Sequence, residues 1–494
     1  MKLKIGPWRP DLGVYDNPAL VNVRNAIPAA GRWLPQPSLG VITEQTITAP
    51  VQGLFTAARN NGSLDLFVAF GGNIYRVPSR GGELEVATNS ELSDGYSDLP
   101  EARWRFAQFG DQLLVTNFFD EIQGLDLVLG GNFQYIADAS EDVPRARYIA
   151  IVLGIPTVAY TFDPVDLEDG YQVRWCGFTN GLPDSSNWNR SVETQADSQR
   201  LSEIGIITGL TGGEFGLVIG ESGIALMSRG DNLFRFDTIE RRIGCRTPNS
   251  VIQYRSATYF WSSEGWARAT AQGVQLIAVE KIDRFFAEDR DENFDHKMWA
   301  TVESRRGHLL WAYCAKGHNG EPNRLLRYAV DLDEWSISDV DIQALGGGKT
   351  FGLTLDDPFF NNLDEFTGSL DDPTLWSSLP QTIAVSANRV QAFIGSPMTA
   401  RFETGEFAFG GEANRSIIRR SMPRGQGGTS TVSFSYRDRV QDPEVWTSDE
   451  PAQANGWHRH RVPGRTHRCR ITRRGNWADL VDTVILGEGA GRDG

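Results

Sequence analysis

Three of the chain's six histidines, one of its four cysteines and five of its arginines fall in GWHRHRVPGRTHRCR, residues 456–470, with no acidic residue among them. Two chemistries use these residue types at this spacing. Imidazole and thiolate are zinc ligands, and arginine forks grip carboxylates and phosphates through paired hydrogen bonds. Val462-Pro463-Gly464-Arg465 has proline and glycine at the two central positions of a type II turn. A two-residue hairpin loop there sets His460 opposite His467 and His458 opposite Cys469. Side chains alternate along a strand, so these four share one face and Arg459, Arg461, Arg468 and Arg470 share the other.

The ligand face has a plainer reading. Structural zinc sits on knuckles and turns rather than on two opposed flat strands. A type II turn also matches hairpin twist poorly, which leaves the register free to slip. Val462 and Ile471 continue the same face and mark it as core, where histidine and cysteine tolerate burial. Neither a metal nor a cofactor is expected. The arginine face lacks the alternating aromatics that stack bases, which disfavours a single-stranded nucleic acid. The acidic surface of a partner subunit is the first expectation for Arg459, Arg461, Arg468 and Arg470, ahead of a solvated face and of DNA phosphates.

The rest of the chain sharpens that contrast. Its 494 residues carry a formal net charge of -15, yet residues 451–474 hold seven arginines and no Asp, Glu or Lys. An acidic chain repels phosphate and does not wrap DNA. Arginine outnumbers lysine 42 to 6, which a coding bias explains better than interfaces do. Cys176, Cys245, Cys314 and Cys469 are far apart in sequence, so four buried free thiols in a reducing compartment are expected. The N-terminus has no apolar h-region, and no run approaches ~18 apolar residues, so neither a signal peptide nor a membrane span is expected. Synthesis in a cytoplasm, without secretion by the usual route, is expected. Nucleophile elbow, H-E-x-x-H and sialidase blade box are all missing, and no enzyme is expected. The acidic stretch 356–372 lacks the spacing of a calcium loop and reads as solvated. The glycine-dense 209–216 fits neither a P-loop nor a dinucleotide fingerprint and reads as a strand hairpin.

The elements that must position these residues are strands. Up to about residue 50, six prolines from Pro7 to Pro37 exclude a regular helix and predict an extended arm packing on the C-terminal module. From Val51, LFVAF and IYRV flank a Gly71-Gly72-Asn73 corner, FAQF and QLLVT flank Gly110-Asp111, and Gly130-Gly131-Asn132 echoes the first corner. Units of two to four short strands recur every 40–50 residues or so, as blades of a propeller do. About six such units fit between residues 51 and 340. Ile282, Phe285 and Phe286 supply the best helical spacing. Residues 341–380 read as an acidic linker, and residues 381–494 as a β-sandwich or barrel platform. The expected class is all-β, a β-propeller of about six blades with that platform.

An ordered set of stretches carries a resemblance: ARYIAIVLGIPTVAYT, QVRWCGFTNGLPDSSNWN, IITGLTGGEFGLVIGESGIALMSR, FRFDTIERRIGCRTPNSVI, HKMWATVESRRGHLLWAYC, LLRYAVDLDEWS and the terminal GWHRHRVPGRTHRCRIT. Together they resemble the tail nozzle (hub, or packaged-DNA-stabilisation) proteins of short-tailed bacteriophages, over about Trp8 to Leu486. The resemblance implies a virion structural protein that forms a hexameric ring. That ring extends the portal–adaptor channel, meets tail fibre or spike proteins, retains packaged double-stranded DNA and passes it during ejection. Six copies would carry about -90 in all, an acidic lumen along which DNA slides without sticking. It also implies apolar residues where this chain has His458, His460 and Cys469, which fits a core face. The rival expectation is a propeller-type glycan-binding protein or tail depolymerase.

Overall fold

The computed structural model describes all residues except 16, 44, 79–81, 137–142, 180, 192, 232, 350–378, 410–413, 440 and 490–494. Nearly every described element is a short antiparallel strand. The Gly71-Gly72 corner forms as expected. Both glycines have positive φ (56° and 72°), and Phe70 pairs with Asn73 across a two-residue loop whose twist matches its strands. Gly110 (φ 57°) does the same between Phe109 and Gln112.

The six units anticipated between residues 51 and 340 are six four-stranded sheets, beginning at the strands Val51–Ala58, Arg105–Phe109, Arg145–Val152, Ile207–Thr211, Ile252–Tyr254 and Trp299–Glu303. Glycine-dense 209–216 is the hairpin between the first two strands of the fourth sheet. Their second strands read as continuous apolar runs because neighbouring sheets cover both faces. Ala257–Ser262 and His308–Tyr313 are buried at every residue.

A seventh four-stranded sheet departs from the expected boundaries. It joins Ala344–Lys349, Pro380–Ser386, Arg389–Ala392 and Gly40–Val41, taking strands from segments assigned to linker, platform and arm. It packs between the sixth sheet and the first. Leu54, Leu66, Leu310, Leu345 and Ile383 share one core there. Thr56 donates to the Gly347 carbonyl at 2.5 Å. A Cβ on Gly346 would stand 2.8 Å from the Leu54 carbonyl oxygen, so glycine permits the approach. The arrangement is propeller-like. The first strands of all seven sheets line one central cavity of about 750 Å³, through Thr56, Arg105, Ile149, Leu210, Gln253, Thr301 and Gly347. The acidic stretch 356–372 lies outside the described residues.

The C-terminal module is two facing sheets. One orders Lys2–Lys4, Asp482–Gly489, Ser416–Arg424 and His458–Gly464; the other orders Leu20–Arg24, Ala400–Thr404, Thr466–Trp477, Gly427–Arg437 and Val445–Trp446. The N-terminal arm therefore contributes a strand to each. The module's core runs on into the fifth and sixth sheets, joining Trp33, Phe402 and Trp477 to Trp311 and Trp335. A helix, Asp283–Asp289, forms where Ile282 and Phe286 recur four residues apart, and both are buried.

Candidate functional site

The expected 456–470 hairpin does not form. His458–Gly464 pairs with Ser416–Arg424, whereas Thr466–Trp477 pairs with Gly427–Arg437 and Ala400–Thr404 in the opposite sheet. The Val462-Pro463-Gly464-Arg465 stretch is a corner that carries the chain from one sheet to the other. Packing decides the matter. In the second sheet Cys469 faces Phe434 and Ile471 faces Val432, an apolar register that a hairpin of histidines and arginines cannot supply. Pro463 cannot donate to a ladder and sits in a strand with a neighbour on one side only.

The alternation itself survives the change of partner. His458, His467, Cys469, Val462 and Ile471 are buried between the sheets, and His460 is half-buried. The expected His460–His467 and His458–Cys469 pairs are replaced by pairs with serine. Nε2 of His458 meets Ser430 Oγ at 3.0 Å, that of His460 meets Ser421 Oγ at 2.9 Å, and that of His467 meets Ser416 Oγ at 3.0 Å. Among the described residues no three His, Cys, Asp or Glu side chains group closely enough to hold a metal ion. All four cysteines are buried and free, and burial pushes the Cys469 thiol up.

Burial also pushes the imidazoles of His460 and His467 down to about 4, and that of His458 below its ordinary value. A base held neutral in the fold but titrating normally when unfolded contributes stability above its unfolded pKa, and that stability is lost as pH falls towards the folded value. For fully buried His467 the loss is about 2 kcal/mol between pH 7 and pH 5. A His467→Gln variant is expected to show a correspondingly shallower fall in melting temperature over that range. Parallel wild-type and variant curves would refute this.

The four arginines separate into two pairs. Arg468 donates to both Glu444 carboxylate oxygens at 2.9 Å and to the Thr404 carbonyl at 3.0 Å. Arg470 donates to Glu403 at 2.8 Å and lies over the Trp446 ring at 3.8 Å. These two are neutralised within the chain, which corrects the expectation of one outward face of four. Arg459 and Arg461 remain exposed on the other sheet, and Arg459 lies directly across from exposed Arg420. None of these three has an acidic partner among the described residues. Elsewhere in the module arginines do: Arg401 with Glu403, Arg415 with Asp438, Arg424 with Asp482 and Arg437 with Glu406. Arg420 was missed because its apposition to Arg459 joins strands 39 residues apart; its only local signal is the doubled arginine in SIIRRSMP.

No family model matches the chain, and no curated protein matches it. Among solved structures it is similar to the extracellular domain of BT4673 from B. thetaiotaomicron (9% identity, 85% of this chain and 45% of that one, TM-score 0.39). It is also similar to the N-terminal domain of Nup159 (10% identity, 72% and 95%, TM-score 0.36) and to the dihydro-heme d1 dehydrogenase NirN (12% identity, 57% and 54%, TM-score 0.34). The chain spans less than half the length of the BT4673 domain. Likenesses this weak assign neither family nor function. Among the described residues no helix is long and apolar enough to cross a membrane.

Proposed function

We propose that this chain is a structural protein of a virion tail, a nozzle or hub subunit whose propeller of seven blades and sandwich platform pack into a sixfold ring. The ring would extend a portal–adaptor channel, hold packaged DNA and let it pass. One observation supports the reading above the others. Arg420, Arg459 and Arg461 form an exposed positive patch on a chain of net charge -15, on the side of a sheet where neighbouring arginines have carboxylate partners. Like charges directly opposite each other across strands are destabilising. An acidic surface on the next subunit or on the tail adaptor relieves that cost and fixes the register of docking.

Arg420→Ser/Arg459→Ser/Arg461→Ser is expected to leave the monomer folded and to weaken ring assembly about tenfold or more, as loss of charge-assisted contacts does. Mass photometry and negative-stain images, with and without a portal–adaptor complex, read the outcome. Unchanged assembly removes the patch from the interface. A wild-type chain that stays a monomer or trimer at all concentrations, and does not bind the adaptor, refutes the nozzle reading.

A further inference from the structure

The central cavity of the seven sheets carries a second positive feature, remote in sequence from the platform. Among its lining residues are Arg103 and Arg105, and no Asp or Glu lines it among the described residues. The two guanidinium groups are two residues apart, at the start of the second sheet's innermost strand. Arg103 lies over the Trp299 ring at 3.5 Å and donates to the His296 carbonyl at 3.4 Å. Arg105 donates to Asn249 Oδ1 at 2.6 Å, and the Asn249 amide in turn donates to the His296 carbonyl at 2.5 Å. Both are held by neutral groups alone.

Deeply placed arginines elsewhere in the ring are treated differently. Arg174 has Asp163 at 3.0 Å, and Arg327 has Glu303. Arg103 and Arg105 keep part of their surface on the cavity, which leaves them half-buried by area, while protein surrounds them on the remaining sides. Burial depresses both guanidinium groups, and the neighbouring Arg105 charge depresses Arg103 further. Two like charges in a walled cavity are costly without a counter-ion. Both side chains line a space whose volume suits a small molecule, and each fork has more N–H donors than its neutral partners use.

We propose that the central cavity is a binding site for a small oxyanion-bearing molecule, whose phosphate or carboxylate group is held between Arg103 and Arg105. Asn249 orients the Arg105 fork. Trp299, stacked against Arg103, holds the second guanidinium in place while leaving its edge free for hydrogen bonds. Thr301, a neutral polar residue buried in the same wall, is available to the uncharged body of the ligand.

The test uses the full chain and does not depend on assembly. Inorganic phosphate and citrate are titrated separately by calorimetry, with sodium chloride at matched ionic strength as the screening control. Wild type is expected to bind at least one of them saturably; phosphate alone marks a phosphoryl ligand, citrate alone a carboxylate. Two variants remove the site in opposite ways. Arg103→Gln/Arg105→Gln deletes the charges, and Asn249→Asp supplies an internal carboxylate that competes with the ligand. Each is expected to weaken binding about tenfold or more. Arg103→Gln/Arg105→Gln is also expected to melt no lower than wild type without anion, because the like-charge pair is gone. Absence of saturable binding of either anion to wild type overturns the proposal, as does equal affinity in wild type and in the variants that fold.

Discussion

Replacing Asp163 by Ala is expected to lower the free energy of unfolding by about 3–5 kcal/mol, as breaking a buried ion pair from one side does. Asp163 and Arg174 lie on adjacent strands of the third sheet, with side chains 1% and 2% exposed. Arg174 Nη1 donates to Asp163 Oδ2 at 3.0 Å, and Nη2 donates to the Trp188 carbonyl at 3.1 Å. The other carboxylate oxygen of Asp163 accepts the backbone N–H groups of Val165 and Asp166 at 2.9 and 2.7 Å and shapes the turn between the strands. Alanine removes the turn's acceptor and leaves a guanidinium desolvated beside half-buried Arg190, whose own partner Asp166 is unaffected. Asp163→Asn keeps an acceptor for the turn and is expected to lose less. Asp163→Ala/Arg174→Met removes both charges and is expected to recover part of the loss, though not the turn hydrogen bonds. Urea unfolding followed by tryptophan fluorescence measures all three. A loss below about 1 kcal/mol in the single alanine variant would mean that water reaches Arg174.

Local chemistry was readable from the residues, and partner choice was not. Gly71-Gly72 and Gly110-Asp111 specify tight loops by backbone freedom alone, so their hairpins were expected and are present. The alternation in HRHRV and HRCRI correctly placed His458, His467 and Cys469 inward, because alternation is a property of one strand. Whether two such strands pair with each other or fold into facing sheets leaves the same alternation. The decision rests on Phe434, Val432 and Phe402, far away in sequence. The seventh sheet was hidden for a related reason. Its strands come from residues 40–41, 344–349 and 380–392, so no local unit of four strands exists to be counted. Arg468 and Arg470 read as free because Glu403 and Glu444, which neutralise them, are remote in the chain. The cavity arginines gave no signal at all, since facing a ring centre is a consequence of closure.

Replacing Trp266 by Ala is expected to cost about 3–5 kcal/mol and to loosen the fifth sheet from the sixth. Trp266 is fully buried and sits at the meeting point of both sheets and the helix between them. Its ring centroid is 4.4 Å from that of Trp311, 4.9 Å from Phe286, 5.5 Å from Trp261 and 5.8 Å from Trp335. No neighbour can swing into the space it leaves without abandoning a contact of its own, since Trp311 is fixed by its indole N–H to the Ser250 carbonyl at 2.8 Å. The cavity therefore stays open, and the cost exceeds that of apolar transfer alone. Trp266→Phe retains a ring and is expected to lose less than half as much. The helix supplies an independent readout. Asp283, its first residue, accepts the Trp266 backbone N–H at 3.0 Å, and burial raises its carboxyl to about 6. A carboxyl raised in the folded state contributes stability at low pH that is lost as pH climbs from its unfolded value to its folded one. Water admitted by Trp266→Ala should bring the Asp283 carboxyl back towards the ordinary range, so the stability difference between variant and wild type narrows as pH rises from 4 to 6 or so. Because this core continues into Trp33, Phe402 and Trp477, the variant should also expose the junction of ring and platform to limited proteolysis. A variant that loses less than about 1.5 kcal/mol and resists protease like wild type would show that the two bodies are held together elsewhere.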